Sequence, residues 1–202
     1  MEMDWKTNMA ELGGAFMVSW LVLGELPGMD DAGDATGSLL IAGLLLAVAM
    51  AAMAGAHILP MFTWISAMTG DLADTDAWIG NVMRLLMQVV GAGAALALMG
   101  EGTVEAAATA PEMVGFDLWP MLGMVAAGAV IGAVASRCDG WMTAFAVVAL
   151  AGALGAGVTG ANDMAAEVMG GGAIVEALST WVVDGAVIGV GALLGGLLED
   201  QL

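Results

Sequence analysis

"AGAHILPMFTW" (residues 54–64) decides how this chain is read. It sets one histidine and one proline at the end of a long apolar run, Ser38–Ala56, and the chain turns polar again shortly afterwards. Proline has no backbone N–H and fits the first turn of a helix, where that donor would be unpaired anyway. Pro60 therefore predicts a new helix over Pro60–Thr69. A helix of that length rises about 15 Å, half the roughly 30 Å of a bilayer's hydrocarbon core. It is too short to cross.

The surroundings are a membrane sequence. Of 202 residues, 60% are hydrophobic and 12% charged, and the mean hydropathy is +0.93. That leaves too little polar surface to cover a soluble core. Six blocks read as full spans: Met9–Leu26, Ser38–Ala56, Ala77–Met99, Trp119–Ser136, Trp141–Gly157 and Val175–Leu198. A second short apolar segment, about Asp163–Gly171, follows the fifth block. The expected class is an all-α membrane protein, one domain over 1–202, with repeat one about 1–100 and repeat two about 115–202. The opening "MEMDWKTNMAEL" lacks a basic n-region and a small-residue cleavage site, so the first block is expected to stay as a span.

The net charge is −18, and Lys6, Arg84 and Arg137 are the only basic side chains. With six spans and both termini cytoplasmic, all three fall on the cytoplasmic side, as the positive-inside rule requires. Trp5, Trp78, Trp119, Trp141 and Trp181 lie near span ends, where indoles anchor at the interface. The acidity argues against nucleic acid and anionic lipid surfaces as electrostatic partners. It suits a prokaryotic, halophilic or marine cell membrane, where salt screens the repulsion. A lone Cys138 and a lone His57 allow no thiolate cluster and no metal or catalytic constellation, so neither cofactor nor enzyme activity is expected. Runs such as "GMVAAGAVIGAVAS" and "GAVIGVGALLGG" space small residues by three and four, which lets helix backbones approach closely.

"AGAHILPMF" (54–62) has a partner in "TGANDMAAE" (159–167). Each follows an apolar span and precedes a short apolar segment. With the amino terminus inside, the two short segments enter the membrane from opposite faces. The pattern is an inverted repeat of three spans plus one half-helix.

These motifs resemble those of the major intrinsic protein family, the aquaporins and glycerol facilitators. "AELGGAF" (10–16) resembles that family's AExxGTF, "GAHILPMFT" (55–63) its GAHxNPAVT, and "QVVGA" (88–92) its QxxGA. "VTGANDMAAEVMGG" (158–171) resembles TGxxxNPARxxG, and "WVVDGAVIG" (181–189) resembles WVGPxxG. The resemblance covers nearly the whole chain in order. It implies an aquaporin-like bundle of six transmembrane helices and two pore half-helices, a homotetramer in the bilayer, and water or a small neutral solute as cargo. It further implies that Glu11, His57 and Gln88 support the pore loop.

The functional atoms differ from the family's. Where each half-helix would begin Asn-Pro-Ala, the first reads Leu59-Pro60-Met61. Ungapped, the second reads Met164-Ala165-Ala166, with Glu167 in place of the family arginine. A gapped register instead makes Asn162 the asparagine and puts Ala165 at the arginine position. The ungapped register is preferred because Ala166 and Gly170 then match. Asn162 and Asp163 are each suited to capping the second half-helix. The other constriction positions fall near Leu39, Gly152 and Ala161. Leu59, Met61 and Met164 would make a greasy waist, which closes a pore by dewetting, whereas Glu167 would relax cation exclusion. The expected activity is an atypical passive channel. A non-conducting structural protein, a pore with cation or gas selectivity, and a coupled transporter using Glu11 and Asp184 remain alternatives.

Overall fold

The computed structural model describes residues 4–21, 35–100, 117–154, 160–171 and 174–199. These form eight helices: α1 (Trp5–Leu21), α2 (Ala35–Ala52), α3 (Pro60–Thr69), α4 (Thr75–Met99), α5 (Leu118–Arg137), α6 (Gly140–Leu154), α7 (Ala161–Gly170) and α8 (Ile174–Glu199). There is no strand among the described residues. Among the described residues three stretches are long and apolar enough to cross a membrane: Thr75–Met99, Leu118–Arg137 and Ile174–Leu198. Leu39–Ala52 and Gly140–Ala151 are shorter apolar helices. The ends expected at 22–26 and 155–157 lie outside the described residues.

Local rules account for most boundaries. The Asp4 carboxylate accepts the backbone N–H groups of Lys6 and Thr7, both at 3.1 Å, and so starts α1. Asp74 starts α4 in the same way, accepting from Asp76 and Ala77 at 2.9 and 3.1 Å. Pro60 stands at the start of α3, which runs over the expected Pro60–Thr69. Helices α1, α2 and α4 start four, three and two residues before the expected Met9, Ser38 and Ala77, and two further ends differ from expectation. Helix α2 stops at Ala52 rather than Ala56, because residues 53–55 form a turn with Gly55 at φ +93°. Helix α7 starts at Ala161, two residues before the expected Asp163, with an extended Gly160 before it.

The packing repeats itself. Helix α1 lies on α4, and α5 lies on α8; α3 lies on α8, and α7 on α4. Likewise α1 meets α2 as α5 meets α6, α3 meets α4 as α7 meets α8, and α2 meets α6 across the middle. Exchanging α1–α4 for α5–α8 turns each of these pairings into another one, except α2 with α6, which maps onto itself.

The close crossings obey the same exchange. A Cβ on Gly91 of α4 would stand 2.2 Å from the Leu12 carbonyl oxygen of α1. One on Gly191 of α8 would stand 2.2 Å from the Val125 carbonyl oxygen of α5. Leu12 and Val125 each stand seven residues after the first residue of their helix, and Gly91 and Gly191 eight before the last residue of theirs. Only glycine lets these backbones touch.

The main core joins α1, α2, the α3 entrance, α5, α6 and α8 through Val18, Leu46, Ile58, Ile131, Val147 and Ile188. Outside it, apolar side chains stay exposed in rows four residues apart. Leu40, Leu44 and Val48 form one on α2, and Val82, Leu86 and Val90 another on α4. Water would penalise such rows; lipid would not. The architecture is that of a helical membrane protein.

Candidate functional site

The site is built around the entrance to α3. Glu11, in the middle of α1, is wholly buried. Its Oε1 accepts the His57 backbone N–H at 2.7 Å and Arg84 Nη1 at 3.2 Å. Its Oε2 accepts the Ile58 backbone N–H at 2.8 Å and Gln88 Nε2 at 2.7 Å. A lone buried carboxylate would cost several kcal/mol, but four donors and one paired cation offset that. Gln88 Nε2 and His57 Nδ1 each lie 3.1 Å from the hydroxyl of Thr63 on α3. One acid thus ties α1, the 53–59 turn, α3 and α4 together.

The brace holds a strained residue. Ile58 has φ +55°, left-handed backbone that a β-branched residue rarely adopts. Such strain costs on the order of 1–3 kcal/mol. Its side chain is buried against Gly14, where any Cβ would come within 2.1 Å of Ile58 Cγ2. Burial and the Glu11 carboxylate together keep Ile58 in place, which aims the chain into Pro60.

His57 therefore fixes a loop through both its backbone and its ring. Burial and then the nearby Arg84 charge lower its pKa to about 4, with Glu11 opposing them. His57 also lines a cavity of about 450 Å³ with Phe62, Ser66, Thr69, Cys138 and Thr143. Arg84 is bonded to Glu11, Lys6 lies one to two turns before Glu11 on α1, and Arg137 adjoins Cys138. The chain's basic residues are thus gathered around one end of the bundle.

The waist residues are closed in. Leu59 is 9% exposed, Met61 2% and Met164 8%. Leu59 and Met61 belong to the main core, and Pro60 is buried beside them. Leu59 supplies no side-chain bond to the start of α3.

On α7, Ala161, Ala165 and Ala166 pack against Ala92 and Leu96 of α4. The buried Asn162 accepts a short hydrogen bond from the Ser19 hydroxyl of α1. Asn162 lies in the first turn of α7, whereas Met164 lies a turn inside. Asp163 is exposed, and its carboxylate folds back over Gly160, where a Cβ would come within 2.7 Å of it. Glu167 is 3% exposed, and its Oε1 has no hydrogen-bond partner.

The expected positions are therefore brought together in part. Glu11, His57 and Gln88 meet at the start of α3, and Ala161 and Glu167 share α7. Leu39 is 40% exposed near the start of α2. Gly152 lies on α6, but its surroundings are outside the described residues.

Several functional partners escape a reading of the sequence. Thr63 was legible only as the fourth residue of a short helix, and Ser19 as one polar atom in an apolar run. The buried Trp64, whose indole N–H has no partner, packs on Gly185 of α8. The glycine run of α8 reads from the sequence as a close backbone crossing, and at Gly185 the space is taken by the Trp64 indole. No protein-family model, curated protein or solved structure matches this chain.

Proposed function

We propose that the chain is a divergent, aquaporin-like passive channel for water or small uncharged solutes. One observation carries the reading: two ten-residue helices, α3 and α7, occupy exchange-related places, each packed on the last helix of the other half. Broken helices held this way put backbone polar groups beside a pathway where whole spans would bury them. The α1, α2, α5 and α6 helices complete six spans, and α3 and α7 are the two half-helices entering from opposite faces. The basic end of the bundle is cytoplasmic by the positive-inside rule. The cavity beside His57 is then the cytoplasmic vestibule, and four copies assemble in the bilayer.

A second reading has its own observation. Leu59 and Met61 sit in the main core rather than against open space. A path interrupted there by apolar side chains would stay dry and closed. The non-conducting structural protein of the same fold is the competing conclusion.

Reconstitution into proteoliposomes separates the two. A channel accelerates osmotic shrinkage over empty vesicles, with water or with glycerol as the permeant. Shrinkage equal to that of empty vesicles for both solutes overturns the channel and favours the structural protein.

A further inference from the structure

Glu167 poses a problem the channel reading does not solve. Its side chain is 3% exposed and one carboxylate oxygen is buried with no partner. Burying an ionised carboxylate without a counter-charge costs several kcal/mol. It stands on the last turn of α7, where the helix dipole disfavours an anion and favours a cation.

No side chain supplies that cation. The part of α4 packed on α7, around Ala92 and Leu96, carries no charge. Helix α8, which also packs on α7, carries the acids Glu176, Asp184 and Glu199 and no base. From α1, Ser19 reaches α7 as a neutral hydroxyl. On α7 itself the neighbour is Asp163, four residues earlier on the same helix face, a second acid rather than a base. No lysine or arginine follows Arg137 anywhere in the sequence.

We propose that Glu167 and Asp163 form a binding site for one alkali cation, with the ion contacting the unpartnered Glu167 oxygen and the exposed Asp163 carboxylate. Asp163 gives the ion a way in, and Glu167 holds it away from water. Among the described residues there is no group of three or more ligating side chains to demand a divalent metal. Two carboxylates and water fall short of the roughly six to eight oxygens of a calcium cage, and an alkali ion, with its lower charge, would be held there weakly. The site stands whether or not the chain conducts.

The test is melting of the purified full-length chain in detergent, at fixed pH and ionic strength, in mixtures of sodium and choline chloride. Sodium at ten times its Kd should raise Tm by about 4 °C. Glu167→Gln should melt at least as high as the wild type in choline and lose the sodium-dependent rise. Asp163→Asn should shift the rise to severalfold higher sodium. Equilibrium dialysis of the wild type with radioactive sodium, competed by potassium, needs no variant and should find one saturable ion per chain. A flat wild-type Tm together with no saturable ion overturns the site, as does a rise that survives in Glu167→Gln. A proton on Glu167 would give those negative results. Water permeability in vesicles is read separately, so the channel can fail while the sodium effect stands, and the reverse.

Discussion

The two halves of the molecule share a frame and differ in what fills it. The crossings of Gly91 on Leu12 and Gly191 on Val125 align the halves residue by residue. By that alignment Glu11 corresponds to Met124, Gln88 to Ile188 and Arg84 to Asp184. In the first half these positions form a buried ionic knot around the α3 entrance. In the second half Met124 and Ile188 simply join the apolar core. Close helix contact is thus independent of the polar brace: glycine at the crossing builds the frame, and the Glu11–Arg84 ion pair is added on one side only. The brace sits where Ile58 must hold a positive φ. The start of α7 is tied instead by the neutral pair Ser19 and Asn162.

Breaking the brace should have the largest effect. Glu11→Ala leaves Arg84, Gln88 and two backbone N–H groups without their acceptor, and should destabilise the chain by about 3–5 kcal/mol. Met124→Leu, the volume-conserving change at the matching place, should cost less than about 1.5 kcal/mol. Chemical denaturation in detergent reports both. Equal losses would show that the two halves are not built differently.

The shared frame is tested next by Gly91→Leu and Gly191→Leu. Each drives a side chain into a facing backbone and should cost at least about 1–3 kcal/mol, by similar amounts. A large loss in one and none in the other would remove the correspondence between halves.

The effect of pH is smaller and has a definite sign. Since the fold lowers the His57 pKa from 6.5 to about 4, neutral His57 favours the fold above pH 6.5. That contribution fades as pH falls from 6.5 towards 4. The Tm of the wild type should fall faster over this window than that of His57→Gln. Parallel curves would mean that the ring is not held neutral.

The last test is Leu59→Asn, which puts a capping side chain worth on the order of 1 kcal/mol at the start of α3 against the loss of a buried leucine. It replaces an apolar side chain with an amide beside Pro60, so on the channel reading proteoliposome water permeability should rise above the wild type. Unchanged permeability would place the block elsewhere.

Short-range chemistry made much of this readable. Pro60 announced α3 because a missing N–H is harmless only in a first turn, and the helix ends at Thr69 as expected. The end of α4 at Met99 followed from Gly100. At α7 the same reasoning slipped by two residues, since no proline marks the start and Gly160 precedes it without a side chain to signal a cap. Glu11, His57 and Gln88 were singled out by the family resemblance of the motifs that contain them. Arg84 was legible only as a charge that sets orientation, because nothing local shows that it folds back on Glu11.

By itself the sequence determined a chain of apolar helices, one of them short and opened by proline, and an acidic, base-poor surface. Those features depend on each residue's own backbone and on its solvation, which neighbours a few positions away already settle. Only the tertiary structure decided that Arg84 pairs with Glu11 and that Ser19 holds Asn162, contacts spanning 73 and 143 positions. It also decided that Glu167 is buried with an empty oxygen. Such pairings depend on which helix faces are brought together, and that choice is made by packing the whole bundle at once.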